Sequence, residues 1–325
     1  MNSNLTLIAG FVLTLIAMLI AMPAFIRYLK NRNVNQVTSE YALEEFKNKE
    51  KTPIMGGLLF VIIPIIVSII VNPSSLSDPK TLFVMLSYVL YCSVGFIDDA
   101  LIISSHKNDG MSAISRLILE FGYVVVLFFM FRNVINQQVT IPFLNIGIQL
   151  HWLIFLPFMA LLYMAEANAV NFTDGMDGLC AGVSLIALIP FIIFSYMYKE
   201  YNILVLLICI SAGLIGYLKF NFHPAKIFMG DSGSLALGAL FSSLAILMDK
   251  TIALFFIGGV FVAEMFCVVV QQLSVRLFHK RVFSYTPIHY AFVIKGHSEK
   301  KIVLAFYLVQ IILSIIGFII GINTL

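Results

Sequence analysis

The sequence predicts an all-α integral membrane protein with about ten transmembrane helices, both termini extracellular and a short outer β-hairpin. Three observations support this fold class. Hydrophobic residues make up 60% of the chain and charged residues only 11%, whereas soluble domains contain about 25% charged residues. The apolar residues form stretches long enough to cross a bilayer, and lysine and arginine are concentrated in alternate connections between these stretches.

Ten apolar stretches approach the length, roughly 17 to 25 residues, that a helix needs to cross a hydrocarbon core about 30 Å thick. They cover residues 5–26, 54–71, 81–97, 114–131, 152–168, 179–197, 202–218, 233–248, 251–275 and 302–323. Helix is expected because an unpaired strand edge in lipid would leave backbone groups without hydrogen-bond partners. Since the helices need one another to bury their polar positions, we expect residues 1–325 to form a single transmembrane domain.

The distribution of basic residues predicts which connections face the cytoplasm, because lysine and arginine concentrate in cytoplasmic loops. Numbered in chain order, the odd connections contain sixteen of these residues and the even connections four. The sixteen are Arg27, Lys30, Arg32, Lys47, Lys49, Lys51, Lys107, Arg116, Lys219, Lys226, Arg276, Lys280, Arg281, Lys295, Lys300 and Lys301. The four are Lys80, Arg132, Lys199 and Lys250. The odd connections are therefore expected inside and both termini outside.

The outer connection at residues 138–150 alternates apolar and polar residues around an Asn-Ile-Gly sequence at 145–147. Alternation on both sides of a turn signal is typical of a β-hairpin. We expect a short hairpin on the outer surface. An irregular connection is the alternative, and it would leave the functional argument unchanged.

Two adjacent aspartates, Asp98 and Asp99, are expected to close the third helix at the cytoplasmic side. Neighbouring carboxylates repel each other unless a cation or a proton lies between them. The pair is therefore a candidate for a metal site or a general base. A solvated helix end is the other interpretation that this pair alone allows.

The fifth connection combines two amides and two acids in a short segment. They are Asn168, Asn171, Asp174 and Asp177. Their spacing of three residues lets neighbours meet on a helical turn, and the glycines Gly175 and Gly178 permit a ligand to approach the backbone closely. Loop solvation explains this combination poorly, so a binding site is expected here.

The seventh connection places Asp231 between glycines just before an apolar helix. Asp231 and Ser232 are suitable N-cap residues, and the free amides of a helix N-terminus bind phosphate oxygens. A role as a cap alone is the alternative for Asp231. A magnesium ion held by one or two carboxylates and by substrate phosphates would reconcile the excess of acids with an anionic substrate.

The ninth stretch carries Glu264 and Gln271, which are seven residues apart and therefore lie on one helix face, expected to point into the bundle. Glu264 is expected to be a structural partner of a buried cation, whereas Gln271 lies closer to the cytoplasm and is better placed for a ligand. The next connection contains His289 and several basic residues. Because orientation alone predicts a basic cytoplasmic loop, its charge is weak evidence for substrate binding.

Seven ordered signatures, found between Lys49 and Ser298, resemble the bacterial phospho-N-acetylmuramoyl-pentapeptide transferase family within the wider group of polyprenyl-phosphate N-acetylhexosamine-1-phosphate transferases. They are KTPIMGG (51–57), FIDD (96–99), NAVNFTDGMDGL (168–179), NFHPAKIFMGDSGSLALG (221–238), FVAE (261–264), KRVF (280–283) and TPIHYAF (286–292), accompanied by Gln271.

This resemblance implies a Mg2+-dependent phosphoglycosyl transferase in the bacterial inner membrane, with its active site at the cytoplasmic face. The donor would be UDP-N-acetylmuramoyl-pentapeptide (UDP-MurNAc-pentapeptide) and the acceptor undecaprenyl phosphate. The products would be UMP and lipid I, the first lipid intermediate of peptidoglycan synthesis. The resemblance also implies a homodimer in the lipid bilayer and no nucleic acid partner.

The resemblance further implies roles for the matching residues. Asp231 would bind Mg2+, while Asp98 and Asp99 would activate the acceptor or support the metal, Asp99 as a second ligand. The residues implied for the nucleotide and its diphosphate are Lys49, Asn171, Gly175, Met176, Asp177, Asn221, Phe228, Ser234 and Gln271. Asp174 would belong to the same pocket. The identity of the base and the existence of a covalent intermediate stay open.

One departure from the family concerns the histidines. The family usually shows three consecutive histidines after Pro-Ile, but here His289 is followed by Tyr290 and Ala291. Roles that rest on the second or third histidine are therefore in doubt. His289 is expected to act in catalysis, by binding diphosphate or by orienting an acid, with loop packing as the alternative.

Two other functions are compatible with parts of the sequence. A sister enzyme would use UDP-N-acetylglucosamine to build lipids for teichoic acid or surface polysaccharide. The missing histidines favour it, whereas KTPIMGG, FVAE with Gln271, and TPIH favour the muramoyl donor. An ion-coupled transporter would place its acids near the bilayer midplane, whereas the acids of this chain gather at one face.

Overall fold

The computed structural model describes residues 3–35, 49, 51–105, 110–144 and 146–323. Lys47 and Lys107, counted among the basic residues, and Asn145 of the predicted turn lie outside the described residues. Within them the chain forms a two-stranded sheet, a short 3-10 helix (Pro73–Ser77) and twelve α-helices. The α-helices are α1 (Ser3–Asn31), α2 (Gly57–Val71), α3 (Pro79–Ser105), α4 (Ala113–Met130), α5 (Trp152–Thr173), α6 (Leu179–Met197), α7 (Tyr201–Asn221), α8 (Asp231–Leu247), α9 (Thr251–Ile257), α10 (Gly259–Phe278), α11 (Ile288–Ile294) and α12 (Glu299–Ile322). The strands are β1 (Gln138–Ile141) and β2 (Ile146–Gln149).

Eight of the described helices are long and apolar enough to cross a membrane by length and composition. The helices α2, with 15 residues, and α8, with 17 residues, are apolar but shorter. Every predicted apolar stretch corresponds to helix in the structure. The prediction of a mostly helical membrane protein is therefore confirmed.

The ninth predicted stretch, residues 251–275, does not form one continuous helix. Helix α9 ends at Ile257, and α10 begins at Gly259 after the break at Gly258. A Cβ atom at Gly258 would lie 2.9 Å from Oε1 of Glu166, so the glycine makes room for a carboxylate at the break. The continuous stretch was predicted from apolarity, which indicates burial in lipid or protein but does not reveal a break between adjacent glycines.

Helix α3 continues to Ser105, so the prediction that Asp98 and Asp99 end this helix was wrong. Both side chains are buried, with Asp98 6% and Asp99 1% exposed. Backbone amides of other segments hydrogen-bond to both carboxylates. Because these amides replace water as partners, the helix does not have to end where the acids begin.

The predicted hairpin is present, but its turn lies elsewhere. Strands β1 and β2 pair antiparallel, with Gln138 opposite Gln149 and Ile141 opposite Ile146. The residues predicted as a turn at 146–147 therefore already belong to β2. The chain reverses earlier, at Phe143, whose φ of +65° is left-handed.

Helix α8 lies at the centre of the bundle, where it packs against α2, α3, α5 and α9. All of its residues from 232 to 246 are buried, and many of them are glycine, alanine or serine. These small residues allow backbones to approach closely, as helices in membranes require. A Cβ atom at Gly95 of α3 would lie 2.1 Å from the Asp231 carbonyl oxygen, and one at Gly238 would lie 2.4 Å from Cα of Ala167 in α5.

We predict that Gly238→Ala lowers the thermal stability of the protein in detergent, because the added methyl group would push α8 away from the α5 backbone. Overpacking of this kind costs about 1–3 kcal/mol. Gly122→Ala is the matched control, because nothing lies within 4 Å of a Cβ atom at that helical position. The control should unfold at the wild-type temperature or slightly above it. Equal midpoints for the two variants would contradict the close approach of α5 and α8.

Candidate active site

The N-terminus of α8 is capped by an aspartate from another helix. Asp99 Oδ1 accepts the amide of Asp231 at 3.0 Å, and its Oδ2 accepts the amide of Ser232 at 3.1 Å. These amides belong to the first turn, where a helix leaves its own donors without partners. Gly230, with a φ of +75°, is the N-cap residue, and Asp231 is the first residue of the helix. The prediction that Asp231 is the N-cap was therefore wrong.

The carboxylate of Asp231 joins α8 to two other helices, α5 and α4. Its Oδ1 accepts the side-chain amide of Asn171 at 2.8 Å, and its Oδ2 accepts the Arg116 guanidinium at 3.1 Å. Asn171 also donates to the hydroxyl of Ser234 at 2.9 Å, and Arg116 donates to the side chain of Asn168. The Asp231 side chain is 23% exposed, so a ligand can reach it.

Two further aspartates surround this point. Asp98 accepts the backbone amide of Met111 at 2.6 Å. Asp174 follows the last residue of α5, and its pKa is raised to about 7 by burial, with a further contribution from the charges of Asp231 and Asp177. We call four residues the aspartate cluster: Asp98, Asp99, Asp174 and Asp231. Arg116 contributes one positive charge against these four carboxyl groups.

A second group of charged residues is built around Asp177, three residues after Asp174. We call it the lysine cluster, and its members are Lys49, Asp177, His223 and Glu299. The ammonium of Lys49 lies 2.6 Å from Asp177 Oδ1 and 2.8 Å from Glu299 Oε1. Nδ1 of His223 lies 3.1 Å from Asp177 Oδ2 and 3.2 Å from Glu299 Oε2. Asp174 and Asp177 lie in the same short connection between α5 and α6, so the two clusters are neighbours.

Backbone hydrogen bonds hold the first and seventh connections beside the lysine cluster. The amide of Phe228 donates to the carbonyl of Pro53, and the amide of Gly56 donates to the carbonyl of Phe228, both at 2.8 Å. The Lys49 ammonium lies 6.0 Å from the centroid of the Phe228 ring. The sequence signatures at 51–57 and 221–238 are therefore packed against each other.

Asn221 and Met176 contact other parts of the protein and support the structure around the site. The buried side chain of Asn221 accepts the amide of Gly178 and donates to the carbonyl of Ile227, both at 2.9 Å. These bonds tie the fifth connection to the seventh. Met176 is 4% exposed and belongs to the hydrophobic core. Both residues shape the site through packing or backbone contacts.

His289 is fully buried and paired with Glu264. Its Nδ1 lies 3.0 Å from Glu264 Oε1, and Glu264 Oε2 accepts the amide of Ile288 at 2.7 Å. Glu264 therefore partners a buried histidine, and its expected role as the partner of a buried cation stays a prediction. A Cβ atom at Gly175 would lie 2.2 Å from His289 Nε2. In the structure this glycine makes room for the histidine ring, and the Tyr290 hydroxyl donates to its carbonyl at 3.1 Å.

Gln271 occupies a different place from the other predicted residues. Its Oε1 accepts the amides of Val282 and Phe283, both at 3.0 Å, and so orders the KRVF signature. It lines a cavity of about 530 Å³ together with Arg276 and Arg281. None of the described residues lining this cavity belongs to the aspartate cluster. The structure therefore associates Gln271 with basic side chains.

Three residues of the site were missed by sequence reasoning. Arg116 was counted only as a topological charge, and His223 was quoted within a signature without a role. Glu299 was not considered, although an acid in the first turn after Ser298 is a typical helix-start signal. These three residues join the site through contacts with distant parts of the chain, and a local sequence pattern does not reveal such contacts.

Sequence similarity relates this chain to known proteins. The family model described as Glycosyl transferase family 4 matches residues 81–249. The phospho-N-acetylmuramoyl-pentapeptide-transferase of Staphylococcus carnosus (strain TM300) is 36% identical over 96% of this chain and 99% of its own length. The proteins of the same name from Staphylococcus aureus (strain bovine RF122 / ET3-1) and Staphylococcus saprophyticus are also 36% identical, with the same shares covered. The chain therefore belongs to glycosyl transferase family 4, among the phospho-N-acetylmuramoyl-pentapeptide-transferases.

Proposed function

We propose that this chain transfers phospho-N-acetylmuramoyl-pentapeptide from UDP-MurNAc-pentapeptide to undecaprenyl phosphate, which gives UMP and lipid I for peptidoglycan synthesis. The observation that carries the proposal is the aspartate cluster at the N-terminus of α8, close to a lysine and an arginine. Such an arrangement suits the joining of two phosphate-bearing substrates. Relatives that match nearly the whole chain carry the name of this enzyme, which supports the same donor.

Mg2+ is the proposed cofactor, with Asp231 as a ligand and Asp99 in support. The donor set fits this ion, because magnesium prefers carboxylate oxygens and substrate phosphates and the aspartate cluster has more acids than Arg116 can neutralise. When bound, the ion would reduce the repulsion between the two phosphates and stabilise charge on the departing UMP.

The other side chains of the site have separate proposed roles. Both carboxylate oxygens of Asp99 accept hydrogen bonds from amides of α8, so its proposed contribution is to hold Asp231 in place. Asp98 accepts the amide of Met111 with one oxygen, and it is the group proposed to take a proton from the acceptor phosphate. Lys49 and Arg116 supply positive charge for the diphosphate. His289, held by Glu264, packs against the Gly175 turn and orients the segment that carries Asp174.

The proposed arrangement in the bilayer has ten spans, both termini extracellular, the hairpin outside and the active site at the cytoplasmic face of the bacterial inner membrane. The uneven distribution of lysine and arginine supports this orientation. Apart from Asp98 and Asp99, which lie in the last third of α3, every member of both clusters lies in an odd-numbered connection or at a helix end beside one. We propose that residues 1–325 act as a single catalytic domain and that the protein forms a homodimer.

Transfer of N-acetylglucosamine phosphate from UDP-N-acetylglucosamine is the second candidate function. The observation that favours it is the presence of Tyr290 and Ala291 where the muramoyl family usually has histidines. Tyr290 has a structural use in this chain, since its hydroxyl donates to Gly175. The names of the relatives favour the muramoyl donor.

A paired donor assay tests the proposed function. Purified protein with undecaprenyl phosphate and Mg2+ should release UMP from UDP-MurNAc-pentapeptide, and much less UMP from UDP-N-acetylglucosamine. UMP is measured by a coupled assay or by chromatography. Robust turnover with UDP-N-acetylglucosamine, without turnover of UDP-MurNAc-pentapeptide, would contradict the proposed function and support the second candidate.

The variant Asp231→Asn should lose nearly all UMP release at every Mg2+ concentration, because it removes the charge proposed to hold the ion. The wild-type protein should need added Mg2+ and reach a plateau in the same titration. Asp249→Asn is the matched control, since that acid accepts hydrogen bonds from Thr140 of the hairpin. The proposal for Asp231 fails if both variants titrate like the wild type.

Labelling of single cysteines in intact cells tests the proposed orientation. A membrane-impermeant maleimide should modify Lys199→Cys, in a connection proposed to be outside, and should leave Lys280→Cys unmodified until the cells are opened. Both positions are exposed, so accessibility within the protein is matched. The reverse labelling pattern would overturn the orientation.

A further inference from the structure

We infer that Glu299 is a positioning residue for the nucleotide part of the donor, acting through Lys49 and Asp177 of the lysine cluster. This inference rests on the proposed function, and it depends only on a UDP-linked donor, whichever sugar that donor carries. Glu299 lies outside the seven signatures and is the first residue of α12.

A single oxygen of Glu299 connects two parts of the site. Its Oε1 accepts the ammonium of Lys49 at 2.8 Å and the backbone amide of Asp177 at 2.7 Å. The first bond fixes a side chain that is implied in nucleotide binding. The second fixes the backbone of the turn between α5 and α6. Both groups therefore take their positions from one carboxylate.

The other contacts of Asp177 show what this arrangement achieves. Its Oδ2 accepts the amide of Ala225 at 3.0 Å and lies 3.1 Å from His223 Nδ1. Its Oδ1 bonds to Lys49. With Glu299 holding the backbone and Ala225 holding one oxygen, the carboxylate of Asp177 keeps one orientation. An oriented acid beside a lysine can accept hydrogen bonds from a ligand without a prior rearrangement.

The side chain of Glu299 is itself mostly covered, at 13% exposed, whereas that of Lys49 is 19% exposed. A cavity of about 350 Å³ borders the cluster and is lined by Lys49, His223, His297, Lys300 and Glu299, with Val293 and Ser298. Basic side chains predominate in this lining, which suits an anionic ligand. Glu299 is an acid in a wall with several basic residues, and its carboxylate contacts Lys49, His223 and the amide of Asp177, which favours a positioning role over direct binding.

Removal of the Glu299 charge should weaken donor binding and leave the chemical step intact. In Glu299→Gln the amide oxygen can still accept the Asp177 amide, but the ion pair with Lys49 is lost. Hydrogen bonds to charged groups contribute enough that donor KM should rise about tenfold. The value of kcat and the KM for undecaprenyl phosphate should change by less than about twofold, since the interaction lost is one made equally in the ground and transition states.

Inhibition by UMP separates this role from a merely structural one. UMP shares only the nucleotide with the donor, so its inhibition constant should rise by the same factor as donor KM. Glu299→Asp keeps the charge and should recover most of the lost affinity. Glu200→Gln is the matched control, because Glu200 also pairs with a lysine, Lys80, but lies in a connection proposed to be outside. The control should keep the wild-type constants.

An unchanged donor KM and UMP inhibition constant in folded Glu299→Gln would overturn the inference, as would an equal loss of affinity for both substrates. Thermal unfolding in detergent shows whether the variant is folded. If Glu299→Gln does not fold, the same comparison of constants in Glu299→Ala, which also removes the charge, decides the case. Failure of the proposed function looks different, because the wild-type protein would then release no UMP from UDP-MurNAc-pentapeptide.

Discussion

The bonds between Asp99 and the first amides of α8 are the interaction on which the site depends. An ionised carboxylate buried away from water is unfavourable unless charges or hydrogen-bond donors compensate it. The N-terminus of a central helix offers such compensation, with unpaired amides and the positive end of the helix dipole. Asp99 accepts hydrogen bonds from these amides and so connects α3 to the first turn of α8, which begins at Asp231.

Other features of the fold follow from the need to bring these two helices together. Gly95 gives α3 its close approach to the Asp231 backbone, and Gly230 provides the left-handed residue that leads into α8. Asn171 and Arg116 then reach Asp231 from α5 and α4. Small residues, an unusual backbone angle and polar side chains of several helices therefore serve a single junction.

Much of this organisation could be predicted from the sequence, because it depends on local composition. Apolar length predicted the helices, and the polar residues Asp98, Asp99, Asn171 and Asp231 stood out because acids and amides are rare beside membrane spans. The structure brings these residues together. The hairpin was predicted from alternation, although its turn was misplaced because a left-handed phenylalanine is not a recognised turn signal.

The remainder could not be predicted because it depends on contacts between distant segments. The role of Glu299 requires the start of the last helix to meet residue 49, a separation of 250 positions. No local sequence feature distinguishes Arg116 from the other basic residues, and its role follows only from its contact with Asp231. The break at Gly258 sits within an uninterrupted apolar run, and hydropathy cannot distinguish one helix from two consecutive ones.

The modest length of α8 bears on how a lipid substrate would meet the aspartates. Seventeen residues at about 1.5 Å each extend roughly 26 Å, which is less than a hydrocarbon core of about 30 Å. In the proposed orientation, a helix of this length would allow its acidic end to lie near the depth at which phospholipid headgroups begin. A prenyl phosphate would then react without its tail being drawn out of the bilayer, which avoids a cost of about 0.8 kcal/mol for each methylene exposed to water.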